Sequence, residues 1–334
     1  MSRVRMRDVA EMAGVSIKTV SNVVNGTGIV TDQTRRAVED ALRALNYRVN
    51  ASARRLRSGR SGLVAVALPE LDQPYFAELA AQFVAAAASR DMTIVFNQTD
   101  SSQARERAVI DGEGVHAVDG VVLSAAALST TDLMTRRDTG PLVILGERES
   151  ASPFPHVTIE NERVAATATG YLIERGCRRI GVVGNQSLRA HDTSDLRLRG
   201  YRACLTDAGL DVDPALLGEV ESFSRLEGYR ATLALLDSAA PLDALFCFSD
   251  LLAIGALRAL HERRIDVPGQ VSVIGIDDIE EGTFSSPSLT TVHFSKREVA
   301  ERALDLVEEM AKAAPSTGTT VVIPHRIVVR ESVR

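Results

Sequence analysis

Long apolar runs are absent from this chain of 334 residues. No stretch approaches the roughly 18 consecutive apolar residues that a membrane-spanning helix needs, so we expect no membrane partner. Residues 1–7 are basic, but no apolar core of a signal peptide follows them. We therefore expect a cytoplasmic protein without an export signal.

Cysteine pairs, histidine pairs and the common catalytic motifs are absent as well. The three cysteines, Cys177, Cys204 and Cys247, have no CxxC spacing, and their odd number argues against a disulfide framework. The six histidines form neither HxxxH nor HExxH. The chain also lacks a GxSxG elbow and a P-loop. We therefore predict no metal site and no cofactor, and we expect a protein that is not an enzyme.

Charge is distributed unevenly along the chain. Residues 1–60 contain 12 Lys and Arg against 5 Asp and Glu, whereas the whole chain has a formal net charge of −6. A basic end on an acidic body is typical of a nucleic-acid-binding head joined to a domain with another task.

Residues 7–25 have the pattern of a helix-turn-helix, in which Gly14 supplies the turn. Ser16 is placed to cap the second helix by accepting a hydrogen bond from a free backbone N–H. The apolar positions at helical spacing are Val9, Ala10, Ala13, Val20, Val23 and Val24. The outward face of the second helix carries Ile17, Lys18, Ser21 and Asn22. This face resembles that of a recognition helix in a DNA major groove; an ordinary helical hairpin with a charged face is the alternative.

Two further helices are predicted before residue 62. Thr31 is placed to cap a third helix over about residues 32–45, whose apolar stripe would close a three-helix head. Asn50 and Gly59 are the candidate start and stop of a helix of about two turns, which should fold only on docking. Its arginines suit phosphates, and Leu56 suits a wedge in a minor-groove base step. A solvated basic linker is the alternative.

From residue 63 onward, short apolar runs alternate with amphipathic helical segments, which predicts α/β architecture with two parallel sheets covered on both faces. The predicted strands are 63–68, 93–96, 121–123, 142–145, 157–159, 180–183, 244–248 and 271–276. The predicted helices are about 75–90, 103–116, 162–175, 195–209, 225–238, 250–263 and 296–313. Because open α/β sheets bind ligands at the carboxyl ends of their strands, we expect a small-molecule site between two lobes.

Taken together, these segments resemble the lactose/galactose repressor family (LacI/GalR) of bacterial transcription regulators. Residues 7–25 and 50–56 resemble the DNA-binding end of that family. The other similar segments are 69–76, 197–201, 248–250, 267–268, 271–278, 289–292 and 328–332, the last matching the closing strand of the family. The resemblance covers essentially the whole chain.

This resemblance implies a helix-turn-helix head over residues 1–48, a hinge helix or linker over 49–61, and a periplasmic-binding-protein-like core over 62–334. Three crossings near residues 160, 292 and 322 would divide the core into two lobes. One lobe would hold about 62–160 and 294–322, and the other about 161–292 and 323–334. The family works as homodimers on pseudo-palindromic operators, since two-fold protein symmetry matches two-fold DNA symmetry. Its tetramers need a further heptad helix, and because this chain stops at Arg334 we predict a dimer.

In the head, the resemblance places base reading at Ile17, Lys18 and Asn22. Lys18 can donate to guanine, Asn22 can pair with adenine, and Ile17 can contact a thymine methyl group. The family usually has Arg at the position of Asn22, so the shorter side chain predicts an altered operator half-site. The candidates for phosphate contacts are Ser16, Thr19, Ser21, Asn25 and Thr34. In the hinge, the matching minor-groove residues are Asn50, Ala53 and Leu56, with Leu56 as the wedge.

In the core, the resemblance places effector contacts at aromatic and charged residues. Tyr75 and Phe76 follow the first strand, although each could instead pack its lobe. Arg197 matches an effector-binding arginine whose donors suit sugar hydroxyls, carboxylates or phosphates; a surface salt bridge is the alternative. Asp277 matches an effector-binding aspartate at a strand end. The remaining candidates are Phe223 as a stacking aromatic, Ser249 where the family often has Asn, and His191, Thr193 and Glu147 as further positions that can face the cleft.

The function that follows is a ligand-controlled repressor. Effector binding would change the closure of the lobes, and the two hinge helices of the dimer would fold on DNA or melt. A sugar or sugar derivative is the favoured effector, and a nucleoside or purine corepressor is the alternative. Induction and corepression both remain open, induction being the commoner behaviour in the family. A solute-binding module is a further alternative, but it would need an export signal and has no use for residues 1–60.

Overall fold

The computed structural model describes residues 4–25, 27–47, 61–113, 118–146, 153–186, 193–238, 241–312 and 318–334. The chain divides into two compact units, Met1–Ser61 and Gly62–Arg334. Among the helices within these ranges, none combines the length and apolar character that crossing a membrane requires.

Among its described residues, 4–25, 27–47 and 61, the first unit contains three helices, α1 (Met6–Ala13), α2 (Ile17–Asn25) and α3 (Asp32–Ala44). Helix α1 ends because Gly14 takes the left-handed conformation, with a φ of 64°, which glycine adopts without a Cβ penalty. The α2 turn is capped by Ser16, whose hydroxyl accepts the N–H of Thr19 at 3.1 Å. Thr31 caps α3 by accepting the N–H of Thr34 at 3.3 Å. The sequence-based predictions of the turn and of both caps are therefore confirmed.

The three helices enclose a small apolar core. Its buried residues are Val9, Ala10, Val20, Val23, Val38 and Ala41. Tyr47 packs on this core together with Val24, Leu42 and Leu45. Each helix thus contributes one apolar stripe, and the opposite faces remain exposed.

The second unit begins with a six-stranded sheet in the order β11-β5-β4-β3-β1-β2. Every pairing in it is parallel, with Leu63 beside Thr93 and Val64 beside Gly120, for example. Its strands are β1 (Leu63–Leu68), β2 (Thr93–Gln98), β3 (Gly120–Ser124), β4 (Leu142–Leu145), β5 (His156–Thr158) and β11 (Thr320–Val322). The helices among these strands are α4 (Pro74–Ala88), α5 (Gln103–Ile110) and α6 (Thr130–Met134). Together with α12 (Lys296–Lys312), this sheet and these helices form lobe 1.

A second six-stranded sheet has the order β12-β10-β9-β8-β6-β7, in which only the β10–β12 pairing is antiparallel. Its strands are β6 (Ile180–Asn185), β7 (Leu217–Glu219), β8 (Ala244–Cys247), β9 (Ser272–Ile276), β10 (Thr290–Phe294) and β12 (His325–Val328). The helices of this lobe 2 are α7 (Asn161–Glu174), α8 (Thr193–Asp207), α9 (Arg225–Asp237), α10 (Asp250–Glu262) and α11 (Glu280–Thr283). The last helix, α12 (Lys296–Lys312), packs against α4 and the lobe 1 strands.

The chain crosses between the lobes three times. It leaves β5 for α7, leaves β10 for α12, and leaves β11 for β12. Tyr75, which follows β1, has its ring 5.8 Å from that of Phe294 at the end of β10, and Glu78 accepts the N–H of Glu280, which follows β9. The carboxyl edges of the two sheets therefore face one another. The strands at the sheet edges farthest from the crossings are β2 and β7.

Several sequence-based predictions of secondary structure need correction. The helix predicted over 103–116 ends at Ile110, because Asp111 caps it and Gly112 takes a φ of 76°. Strand β7 was not predicted, since three residues with a central glycine have too little apolar character. The closing strand ends at Val328 rather than extending through 332. Residues 329–334 continue beside β9 and β10, where Ser332 accepts the N–H of Val273 with its carbonyl at 2.7 Å.

Candidate functional site

The exposed start of α2 carries two of the predicted base-reading residues. Ile17 is 47% exposed despite being apolar, and Lys18 beside it is also exposed. The Ser16 and Thr19 hydroxyls lie 2.9 Å apart at the same end of the helix. The first turn of α2 therefore presents one cation, one apolar side chain and two hydroxyls.

Ser21 and Asn22 are half-buried, contrary to the expectation that α2 presents them fully outward. Asn22 lies against the loop that follows α2, and its carbonyl accepts the N–H of Thr27 at 3.0 Å. A Cβ added at Gly28 would lie 2.8 Å from Nδ2 of Asn22, so the glycine leaves room for this amide. Thr34 is also half-buried, with its hydroxyl 2.9 Å from that of Thr31.

Some predicted residues lie outside what the structure describes. They are Asn50, Ala53, Leu56, Glu147, His191 and the side chain of Asn25. Their proposed roles, including the Leu56 wedge, stay predictions.

In the core, Tyr75, Arg197 and Asp277 come together at the facing carboxyl edges of the two sheets. Tyr75 belongs to the first turn of α4, after β1; Arg197 lies on α8, after β6; and Asp277 directly follows β9. The charges of Arg197 and Asp277 both influence the Tyr75 hydroxyl, which places the three side chains in one neighbourhood. Elements from both lobes therefore contribute to this cluster.

Arg197 is buried and held by polar groups of lobe 2. Its Nε donates to Oδ1 of Asn161 at 2.9 Å, and its Nη1 donates to the carbonyl of Phe248. Asn161 is the first residue of α7, immediately after the first crossing. Asn161, which lies next to the first crossing between the lobes, thus orients the guanidinium. Because Arg197 is buried, it does not form the surface salt bridge that was the alternative prediction.

Asp277 is 9% exposed and takes a φ of 116°, in the left-handed half of backbone space. Burial raises the pKa of its carboxyl to about 6, although the charges of Arg197 and Lys296 oppose this rise. Strained backbone at an element end is frequent at functional sites. Asp277 therefore combines strained backbone with a carboxyl that titrates close to neutral pH.

Tyr75 forms the aromatic part of the cluster. Its ring contacts those of Phe76 and Phe294, with centroid separations of 5.0 and 5.8 Å. Burial raises the pKa of its hydroxyl far above the usual range, and the Asp277 charge adds to that rise. The phenol is therefore a neutral hydrogen-bonding group at all ordinary pH values. Phe76 is half-buried and packs on the main core, as does Phe223.

Ser249 and Thr193 are the remaining two predicted effector contacts. Ser249 is buried and caps α10, where its hydroxyl accepts the N–H of Leu252 at 3.3 Å. Thr193 is exposed at the first position of α8. Both lie on segments that follow carboxyl strand ends, and their contact with an effector stays a prediction.

Three charged residues of this region were missed by sequence reasoning. Lys296, 9% exposed, has its Nζ 5.8 Å from the centre of the Tyr75 ring and 3.0 Å from Oε2 of Glu78. Asp250 is fully buried; it accepts the Thr291 hydroxyl at 2.6 Å and the N–H of Ile279 at 3.0 Å. Burial and the Asp277 charge raise the Asp250 pKa. The available signal was that Asp250 and Lys296 each follow an apolar strand within three residues.

Comparisons with known proteins agree with this architecture. Residues 5–50 match the family model "Bacterial regulatory proteins, lacI family", and residues 169–333 match a periplasmic binding protein-like domain. The repressor PurR of Mannheimia succiniciproducens is 30% identical over 98% of both chains. The transcriptional regulator CelR in complex with cellobiose is 29% identical, covering 99% of this chain and all of that chain with a TM-score of 0.71. The operator-bound lac repressor dimer, at 24% identity, has the same fold, with a TM-score of 0.87 over 99% of both chains.

A helix-turn-helix head and a two-lobed core of parallel sheets define a class of protein, the DNA-binding transcriptional regulators. Within that class, the chain belongs to the lacI family of bacterial regulatory proteins.

Proposed function

We propose that this regulator is a repressor that binds a pseudo-palindromic operator as a dimer and responds to a small effector held between the two lobes. The observation that carries the proposal is the cluster of Tyr75, Arg197 and Asp277 at the facing carboxyl edges of the sheets. Ligands of open α/β sheets bind at such edges. An effector that contacts both lobes binds more tightly to one closure state than to the other, and this difference is the allosteric free energy.

A sugar or sugar derivative fits this cluster best. A carboxylate accepts hydrogen bonds from neighbouring hydroxyls, a guanidinium donates to ring and hydroxyl oxygens, and an aromatic face packs on the apolar side of a sugar ring. CelR, a relative of similar length, is described in complex with cellobiose. A purine or nucleoside is the second candidate, because its ring would stack on Tyr75 or Phe76 and its N–H groups could donate to Asp277.

A thermal-shift screen with cellobiose, other sugars, guanine, hypoxanthine and adenosine tests the effector class. A ligand that binds only the folded protein raises the melting temperature with the logarithm of its concentration. We expect a sugar to produce this rise in the parent and a much smaller rise in Asp277→Asn. A rise produced only by purines would replace the sugar assignment, and no rise with either class would contradict the proposed pocket chemistry.

On DNA, we propose that Lys18, Ile17 and Asn22 read bases in the major groove. Ser16, Thr19, Ser21, Asn25 and Thr34 would contact phosphates, and Leu56 would insert into the minor groove. Support comes from the exposure of Ile17 and Lys18 at the start of α2. The half-buried position of Asn22 favours a short reach, as expected for an operator that differs from those read by an arginine.

The surface of lobe 1 has features that favour contact with a second copy of the chain. One face of α4 is exposed and entirely apolar, comprising Ala77, Ala81, Val84, Ala85 and Ala88. Edge strand β2 packs beside α4 with its interior residues only partly covered. An exposed apolar face next to an edge strand is a surface on which a partner can pack, and a two-fold dimer would also match a two-fold operator.

In the proposed mechanism, effector binding changes the closure of the lobes, which moves the lobes of the two subunits relative to one another. The segments around residues 49–61 would then be held together and fold on DNA, or be held apart and melt. An effector that releases the protein from DNA gives induction, and one that promotes DNA binding gives corepression; this coupling allows both. Such a regulator has no catalytic role and acts where the chromosome is, in the cytoplasm.

A further inference from the structure

The turn that follows β9, residues 277–280, is held by side chains of both lobes. It carries Asp277, and both Asp277 and Asp278 have positive φ, at 116° and 48°. From its own lobe, Asp250 accepts the N–H of Ile279 at 3.0 Å. The contacts from the other lobe come from Glu78 and Lys296.

Lys296 is the first residue of α12, which packs on lobe 1, and its ammonium group reaches back to lobe 2. Its Nζ donates to the carbonyls of Asp277 and Asp278 at 2.5 and 3.1 Å. A third acceptor is Oε2 of Glu78, at 3.0 Å. An ammonium group has three donors, so all three are used, and two of them go to the opposite lobe.

Glu78, on α4 of lobe 1, also reaches the turn. Its Oε1 accepts the N–H of Glu280 at 2.9 Å, at the beginning of α11. One carboxylate therefore binds the ammonium group of Lys296 with one oxygen and a lobe 2 backbone amide with the other. Two side chains of lobe 1 thus bind three backbone groups of a four-residue turn in lobe 2.

The burial of the lysine makes this pair unlike a surface ion pair, although the Glu78 side chain is 32% exposed. Lys296 is 9% exposed, and the two carbonyls that it binds lie at the end of a buried strand. Exposed ion pairs contribute little because water competes for both charges. A buried ammonium group that loses its carboxylate is strongly disfavoured. If the lobes opened, the two side chains would stay together on lobe 1, but the ammonium group would lose its two carbonyl acceptors and Glu78 would lose the N–H of Glu280.

We infer that Glu78 and Lys296 form an interlobe latch, which binds the backbone of the Asp277–Glu280 turn and holds the two lobes in the closure observed here. Opening of the lobes breaks three hydrogen bonds at once and exposes the buried ammonium group of Lys296. Because the bound turn also carries Asp277, the latch connects the candidate effector site to lobe 1 directly. The connection to the effector site rests on the proposed function, whereas the latch itself does not. Glu78 and Lys296 are both positioning residues.

Distance measurements between spin labels on the two lobes test the latch. Labels at Ala104→Cys, on α5, and Ser222→Cys lie on exposed positions that follow β2 and β7, the edge strands farthest from the crossings, where opening produces the largest displacement. The half-buried Cys204 is replaced by serine; Cys177 and Cys247 are buried. In this background, Glu78→Gln and Lys296→Met should each add a population at longer label distance that the parent lacks.

Asp305→Asn is the matched control. Asp305, on α12, pairs at 2.7 Å with Arg90, which lies two residues after the end of α4, so this pair joins parts of lobe 1 near the same two helices. This variant should lower the melting temperature while leaving the label distances of the parent unchanged. Melting alone would not separate a latch from an ordinary stabilising pair, whereas the label distance does.

Unchanged distances in both latch variants would overturn the inference, as would an equal lengthening in Asp305→Asn. Glu78→Gln and Lys296→Met are independent tests, so a folding failure in one leaves the other decisive. No ligand or DNA is needed. A parent that responds to none of the screened ligands would count against the proposed function only, and unchanged distances in the latch variants would count against the latch only.

Discussion

At the scale of single residues, Asp277 shows how one carboxyl can depend on both lobes. Its charge faces Arg197 on α8, Lys296 on α12, Glu78 on α4 and the buried Asp250 on α10. Burial disfavours the ionised form, the two cations favour it, and burial has the larger effect. For the next residue, Asp278, the neighbouring groups have a larger effect on the pKa than burial has. Burial would raise the pKa of Asp278, but Arg330 at 2.6 Å and His293 at 2.9 Å outweigh burial and lower it.

This contrast predicts a pH-dependent difference in stability. Because the folded pKa of Asp277 lies above that of an unfolded aspartate, its contribution to stability is present below about pH 4 and is lost as the pH rises through about 6. Asp277→Asn has no carboxyl to ionise at this position, so the variant does not lose this stability as the pH rises. Relative to the parent, the variant should gain free energy of unfolding between pH 4 and pH 7, by roughly 3 kcal/mol for a rise of about two pKa units.

Urea unfolding at a series of pH values measures this difference. Asp278→Asn is the control with opposite sign, because a lowered pKa stabilises the fold above the unfolded pKa and that stability is lost as the pH falls. Asp278→Asn should therefore lose stability relative to the parent as the pH rises towards about 4, the pKa of an unfolded aspartate, and should keep a nearly constant deficit at higher pH. If both variants gave pH-independent differences, the assigned electrostatics would be wrong.

At the scale of elements, the head was predictable because its signals are local. Gly14, Ser16 and Thr31 act within one turn of their own helices, so their neighbours in sequence are also their partners in space. Strands β7 and β11 were not predictable in this way. Each has only three residues; β7 has a central glycine, and β11 lies at a sheet edge, where Thr320 and Val322 are exposed.

Loss of one cap should weaken α3 locally. Thr31→Ala removes the oxygen that accepts the N–H of Thr34 and the contact between the two hydroxyls. We expect a cost of about 1 kcal/mol, seen as faster hydrogen exchange of the first α3 amides in the full chain. Thr27→Ala, at an exposed loop position, should leave exchange in α3 unchanged. Equal exchange rates in parent and Thr31→Ala would show that the cap contributes nothing.

At the scale of the whole molecule, the exposed apolar face of α4 has a measurable consequence. Val84 is 54% exposed at the centre of that face. Val84→Glu would place a charge in an apolar contact between two copies, where it would lose its hydration. We expect the variant to be monomeric at concentrations where the parent is a dimer, as measured by light scattering after gel filtration.

Met134→Glu is the control for surface charge, because Met134 is also exposed, at 61%, but lies on α6. This variant should have the mass of the parent. If Val84→Glu stayed dimeric, the proposed dimer surface would lie elsewhere.

The division into two units predicts that ligand response and DNA binding can be separated. A chain of residues 62–334 retains both sheets and their core, so it should melt cooperatively and keep the ligand-induced shift of the parent. It should lose all binding to a DNA pool selected by the full chain, as measured by fluorescence anisotropy. Retained DNA binding would contradict the role assigned to the head.

The sequence by itself determined the turn and caps of the head, the alternation that makes two parallel sheets, and the motifs by which the family is identified. All of these depend on residues close together in the chain, where spacing alone decides which face is buried. Only the tertiary structure decided that Glu78 and Lys296 meet the turn that carries Asp277, and that Asn161 orients Arg197. The physical reason is that a charge gains its partner from the way two lobes meet, and that geometry depends on packing across the whole core rather than on any local pattern.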